Sequence, residues 1–133
     1  MNKKILFDQD YCKIYFVPSH NCILIKWFEF PHSSDFRFAC NFVIELMIRY
    51  NTGKLFTDNT DAKVFSVADQ KWLNSEWLPK AIEAGYSCSA TVMNDDIFIK
   101  TAINKIANNR DSNSIKTKVF TNEVEALSWL DSI

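Results

Sequence analysis

The chain switches between two hydrophobic periods, and the switches mark out its elements. Residues 4–16 (KILFDQDYCKIYF) and 22–30 (CILIKWFEF) are dense in β-branched and aromatic side chains, and Pro18-Ser19-His20-Asn21 separates them. That arrangement predicts a β-hairpin. In the second run Ile23, Ile25 and Trp27 interleave with Leu24, Lys26 and Phe28. Both faces are largely apolar, so this strand is expected to be covered on both sides. After Pro31-His32-Ser33-Ser34 the period lengthens: Phe36, Ala39, Cys40, Val43, Leu46, Met47 and Tyr50 follow at helical spacing. Ser33 or Ser34 is the expected N-cap, with Asp35 in the first turn and Gly53 as a left-handed stop.

The alternation then repeats. Residues 54–58 (KLFTD) predict a strand and Asn59 to Lys63 a loop, with Val64-Phe65 leading into SVADQKWLNSEWLPKAIEAG, from Ser66 to Gly85. Ser66 with Asp69 three residues on resembles a capping box. Leu73, Trp77 and Ala81 mark a buried stripe, and Gly85 closes the helix. Pro79 removes a backbone bond inside it and predicts a kink. Cys88 to Met93 reads as a buried strand, and Asn94-Asp95-Asp96 as the cap of a helix carrying Ile99, Ala102, Ile103, Ile106 and Ala107. Residues 108–114 (NNRDSNS) are a polar loop and 115–120 (IKTKVF) a strand. Asn122 with Glu125 caps a last helix with Val124, Leu127, Trp129 and Leu130. The order β-β-α-β-α-β-α-β-α predicts an α/β domain over residues 1–133, a mixed, mostly parallel sheet covered by helices.

Composition narrows the function classes. The 133 residues suffice for one sizeable core, and a 47% apolar content with eleven Phe excludes a disordered chain. A net charge of −1 lacks the basic footprint of a nucleic-acid binder. The local cations Lys100, Lys105, Arg110, Lys116 and Lys118, set against Asp111, read as a solvated helix face and loop. Cys12, Cys22, Cys40 and Cys88 form no CxxC pair, and the apolar run after Met-Asn-Lys-Lys breaks at Asp8, unlike a signal peptide. No apolar run reaches membrane-spanning length. The expectation is a cytoplasmic protein with reduced, buried thiols and no membrane insertion.

The element order, the size and the segment VFSVADQKWLNSEWLPKAIEAG resemble the SpoIIAA-like, or STAS-like, domains. The resemblance is nearest to small single-domain bacterial members of unknown function related to anti-sigma-factor antagonists. The matching positions are Asp58-Asn59, Ser66, Asp69, Trp72 and Trp77-Leu78-Pro79, and Glu125 to Leu130 (EALSWL) resembles the family's ending. The resemblance implies a SpoIIAA-like fold and a regulatory or protein-interaction module that is no enzyme and needs no cofactor. Anti-sigma antagonists carry a phosphorylatable serine in an Asp-Ser-Ser-Gly-like turn. Here that sequence is missing; Ser66 lies at about the matching place but is followed by Val67-Ala68. Ser66 therefore stands as a plain N-cap or a phosphorylation site.

The candidate partner surface is the Ser66–Gly85 helix with its approach loop, through Asp58, Asn59, Asp61, Ser66, Asp69 and Trp72. Trp72 and Trp77 lie roughly 140° apart on an α-helix, so with Trp77 in the core Trp72 falls toward an edge. Trp72 is then either packed under a loop or an exposed anchor for a protein partner or a second copy in a homodimer. Asp58, Asp61 and Asp69 would suit acid–base work, but capping and loop solvation explain them equally. Cys12, His20, Cys22 and His32 match no zinc spacing, so no metal is expected. A second function is carriage of a small apolar ligand or lipid, because STAS-like domains resemble lipid-transfer domains in topology. Phe28, Phe30, Phe36, Phe38 and Phe42 would line such a pocket or simply fill the core.

Overall fold

A computed structural model describes residues 2–29, 31–63, 65–94, 96–111 and 114–133. Among them, six strands form one sheet in which every strand lies beside its neighbours in sequence: β1 (Lys4–Asp8), β2 (Cys12–Val17), β3 (Cys22–Trp27), β4 (Lys54–Asn59), β5 (Cys88–Met93) and β6 (Lys116–Phe120). β1, β2 and β3 pair antiparallel; β3 to β6 pair parallel. Helices join the parallel strands. α1 (Ser33–Tyr50) follows β3. The second crossover runs through α2 (Val67–Trp72), a π-helical turn (Leu73–Trp77) and α3 (Leu78–Glu83). α4 (Ile97–Asn108) joins β5 to β6, and α5 (Glu123–Asp131) ends the chain. The fold is α/β with a mixed sheet, as the pattern predicts.

The sheet buries both faces, because β3 is apolar at consecutive positions. Ile23, Ile25 and Trp27 join the cluster of α1, α3 and α4. Cys22 and Leu24 join the opposite cluster, where Ala126, Leu127 and Leu130 of α5 meet Phe56, Ala90 and Val92. α5 is fastened at its end. Lys54 Nζ donates to the Leu130 carbonyl at 2.7 Å, which suits a cation to a helix C-terminus. His20 Nδ1 lies 2.8 Å from Asp131 Oδ2. No helix among the described residues is long and apolar enough to cross a membrane.

Local chemistry corrects several expectations. Residues 4–16 are two strands. The polar Asp8-Gln9-Asp10 breaks the run, and Gln9 and Cys12 exchange backbone hydrogen bonds of 2.9 and 3.3 Å across a tight turn. The α1 N-cap is His32, with no side-chain bond, because Ser33 is the first helical residue and its hydroxyl turns to Asp69. The left-handed stop of α1 is Asn51 (φ 50°), a residue whose short polar side chain tolerates that region. Gly53 serves a close approach instead: a Cβ there would collide with the Gly85 carbonyl oxygen. β3 ends at Trp27, and the expectations placed on Phe30, Val64 and Asp95 fall outside the described residues.

The expected kink at Pro79 is absorbed differently. Proline leaves the carbonyl four residues back without its helical donor. The chain widens just before it into a π turn, in which the Leu78 N–H donates to the Leu73 carbonyl. Such turns often sit at functional sites. Trp77 and Ala81 are buried as the stripe predicts, while Leu73 is half-buried.

Candidate functional site

One face of the sheet departs from ordinary core chemistry. Toward α1, α3 and α4, β3 presents Ile23, Ile25 and Trp27. Strand alternation carries the same face across β4 at Leu55, Thr57 and Asn59, β5 at Ser89 and Thr91, and β6 at Thr117. The parallel register sets Thr57 beside Thr91, and Ser89 between Leu55 and Thr117. Five polar side chains thus form a contiguous floor where strands covered by helices usually carry Val or Ile.

Above this floor lies a cavity of about 80 Å³. α1 contributes Phe36, Cys40 and Val43 to its walls. Phe65, Leu73 and Trp77 come from the second crossover, and Ile103, Ile106 and Ala107 from α4. The walls are held by hydrogen bonds. Trp77 Nε1 donates to the Cys40 carbonyl at 2.7 Å, tying the π turn to α1. Asn74 Nδ2 donates to the Ile106 carbonyl at 3.0 Å, tying it to α4. Arg110 also lines the cavity: Nε donates to Asn74 Oδ1 at 3.1 Å, and Nη1 to the Tyr86 hydroxyl at 3.1 Å and Thr117 Oγ1 at 3.5 Å.

Asn59, the last residue of β4, also lines the cavity and is only 3% exposed. Its Oδ1 has no hydrogen-bond partner among the described residues. A buried acceptor in that state costs about 1–3 kcal/mol, so it is a position where the fold gives up stability. A second depression of about 450 Å³ lies between α2, the π turn and α4, lined by Val67, Gln70, Lys71, Asn74, Lys105 and Ile106 among others. Ile106 lines both spaces.

The residues proposed as a partner surface are mostly engaged within the chain. Asp58 accepts from the Thr60 N–H at 3.0 Å and the Thr60 hydroxyl at 2.7 Å. Lys26 Nζ reaches Asp58 at 3.6 Å and Asp61 at 3.3 Å. Partial burial of Lys26 works against its charge, but the two carboxylates outweigh it and raise its pKa. Ser66 is the N-cap of α2, its Oγ accepting from the Asp69 N–H at 3.0 Å. The reciprocal half of the capping box is not made, because the Asp69 carboxylate is taken by the Ser33 hydroxyl at 3.0 Å and Arg37 Nε at 3.3 Å. Asp69 is only 4% exposed. Trp72 is half-buried, edge-on to Phe36, with the Arg37 guanidinium 5.2 Å from its ring centre.

The other candidates also disperse. Of the phenylalanines expected around a ligand, Phe36 lines the cavity. Phe38 and Phe42 pack near Phe7, and Phe28 lies beneath Lys13 and Lys26. Cys12 belongs to the α1-side cluster and Cys22 to the α5-side cluster, so the sheet separates them. Burial raises the pKa of all four thiols, Cys22 to about 12. Among the described residues no three His, Cys, Asp or Glu side chains cluster as metal ligands would.

Sequence reasoning singled out none of Ser89, Thr91 and Thr117, and it read Arg110 as part of a solvated face, whereas its guanidinium turns inward to Asn74, Tyr86 and Thr117. The signal was present: in CSATVM, small hydroxyl side chains occupy every second place of a strand that reads as buried. No protein-family model matches this chain, and no curated protein or solved structure matches it.

Proposed function

We propose that this chain is a non-enzymatic binding module that holds a small, mostly apolar ligand between its sheet and the layer of α1, α3 and α4. The observation that carries this reading is the cavity's composition: an apolar roof over a polar floor, with an Asn59 oxygen that has no partner among the described residues. Ligand sites combine apolar walls with a few placed polar groups in this way. The resemblance of the Ser66–Gly85 segment to SpoIIAA-like domains supports the same non-enzymatic class, as an analogy of fold. Native mass spectrometry of the intact chain purified from cells tests it. An extra small mass, released on denaturation, is expected; a clean ligand-free mass from every preparation would remove the proposal.

A second reading is a regulatory protein-interaction module like the anti-sigma-factor antagonists. It draws on the exposed apolar side chains Val67 (55%), Ile97 (69%) and Phe98 (70%) at the starts of α2 and α4, two helices in contact. Exposed apolar side chains that gather into one patch mark contact surfaces. Pull-down of partners unchanged by Trp72→Ala and Phe98→Ser would exclude that surface.

A further inference from the structure

The polar floor narrows the ligand class, and this step rests on the binding reading above. We infer that the cavity takes a small neutral molecule whose N–H or O–H donates to Asn59 Oδ1 and whose apolar body packs against Phe36, Trp77 and Ile103. The first argument is the orphan acceptor. Asn59 is 3% exposed, lines the cavity, and its Oδ1 meets no donor among the described residues. With the amide in this orientation, only an incoming donor satisfies the oxygen.

The second argument is charge. Among the described lining residues Arg110 is the one cation, and its Nε and Nη1 are turned to the neutral acceptors Asn74, Tyr86 and Thr117. Cys40, also in the lining, keeps its proton at neutral pH because full burial raises its pKa. A carboxylate or phosphate oxygen only accepts and so leaves Asn59 Oδ1 unmet, while a cation would lose its hydration and meet no carboxylate among the described lining residues. A neutral one loses far less.

The third argument is size. An apolar cavity of about 150 Å³ holds benzene. The space here is about 80 Å³, which suits a five-membered ring or a short branched alcohol. The aromatic walls of Phe36 and Trp77 favour a planar body. Water is the competing occupant, since it also donates and also fits.

Pyrrole and furan separate these cases, because they share a shape and differ in the N–H. Titration of the full chain with each, followed by amide correlation spectra, is the experiment. Pyrrole is expected to shift Asn59, Thr91 and the Trp77 indole N–H saturably, and to bind about fivefold tighter than furan, the worth of one neutral hydrogen bond. Asn59→Leu should erase that preference; if it does not fold, Asn59→Ala and the wild-type ratio carry the test. Equal binding of the two probes, or a preference for furan, overturns the donor class and leaves the binding reading standing. Shifts confined to residues outside the cavity overturn the site. Binding of neither probe, with ordered water on Asn59, overturns both.

Discussion

Removal of the Asp69 carboxylate should loosen the junction between α1 and α2 and leave the sheet in place. Asp69 accepts from the Ser33 hydroxyl at 3.0 Å and from Arg37 Nε at 3.3 Å. Hydrogen bonds to a charged group contribute about 1.5–3 kcal/mol each. Both donors keep access to water, since the Arg37 side chain is 41% exposed and Ser33 is exposed, so they rehydrate when the carboxylate goes. Solvent screening therefore discounts the pair heavily, and Asp69→Ala should cost about 2 kcal/mol in total. Ser66→Ala, which removes only the cap, should cost about 1 kcal/mol. For a chain of this length about 2 kcal/mol corresponds to a fall in Tm of roughly 8 °C. Urea unfolding followed by tryptophan fluorescence reads the change directly, with Trp72 close by. Arg37→Met keeps an alkyl chain over the Trp72 ring, and a cycle with Asp69→Ala should return a coupling of about 0.5–1 kcal/mol. A loss below about 0.5 kcal/mol with no coupling would refute the reasoning.

Four further outcomes follow from the packing. Gly53→Ala drives a methyl into the Gly85 carbonyl, so the backbone must move, and a loss of at least about 2 kcal/mol is expected in the same urea assay. Lys54→Met leaves the Leu130 carbonyl uncapped and should cost about 1 kcal/mol, with faster amide exchange confined to α5. The buried thiols predict an alkaline limit. Cys22 is pushed from 9.0 to about 12 by burial first, with Asp131 adding to it, so the folded state keeps a proton that the unfolded chain releases. Its contribution is complete below about pH 9 and is lost as pH rises toward 12, at about 1.4 kcal/mol per unit. Tm should fall steeply between pH 9 and 11, less so in Cys22→Ala. Iodoacetamide should label none of the four cysteines before unfolding, and early labelling would contradict their burial.

The fold was legible wherever one residue type dominates an element. Phe36 to Met47 has a clean helical period, and α1 lies where that period puts it. Asn122 and Ser66 are N-caps because few side chains compete for those helix-terminal N–H groups. The split of 4–16 was less visible. A three-residue polar break can sit in an edge strand or turn the chain, and only pairing of Phe7 with Ile14 decides it. The candidate site was least legible. Asp58, Asp61 and Asp69 are prominent in sequence, yet Lys26 and Arg37, far away along the chain, claim them. Asn59 was read as the start of a loop, and that reading hides that it is the last inward position of β4.

The floor makes a prediction that separates structural from functional polarity. Thr91 is 7% exposed and lines the cavity, and Val has nearly its shape. Where a buried hydroxyl supplies a bond the fold itself needs, its removal costs about 1–3 kcal/mol. Where the hydroxyl serves a ligand, the added methyl gains apolar burial in the empty chain and forfeits only binding. Sites selected for function commonly give up stability in this way. Thr91→Val should therefore leave Tm unchanged or raise it by about 2–4 °C, for a gain of about 0.5–1 kcal/mol, while the co-purifying mass falls. The comparison is sharpened by Ile25, at the corresponding height on β3, where the same face is already aliphatic and Ile25→Thr should only destabilise. A drop in Tm of more than about 5 °C for Thr91→Val, with ligand retained, would make the hydroxyl row part of the scaffold and not of a site.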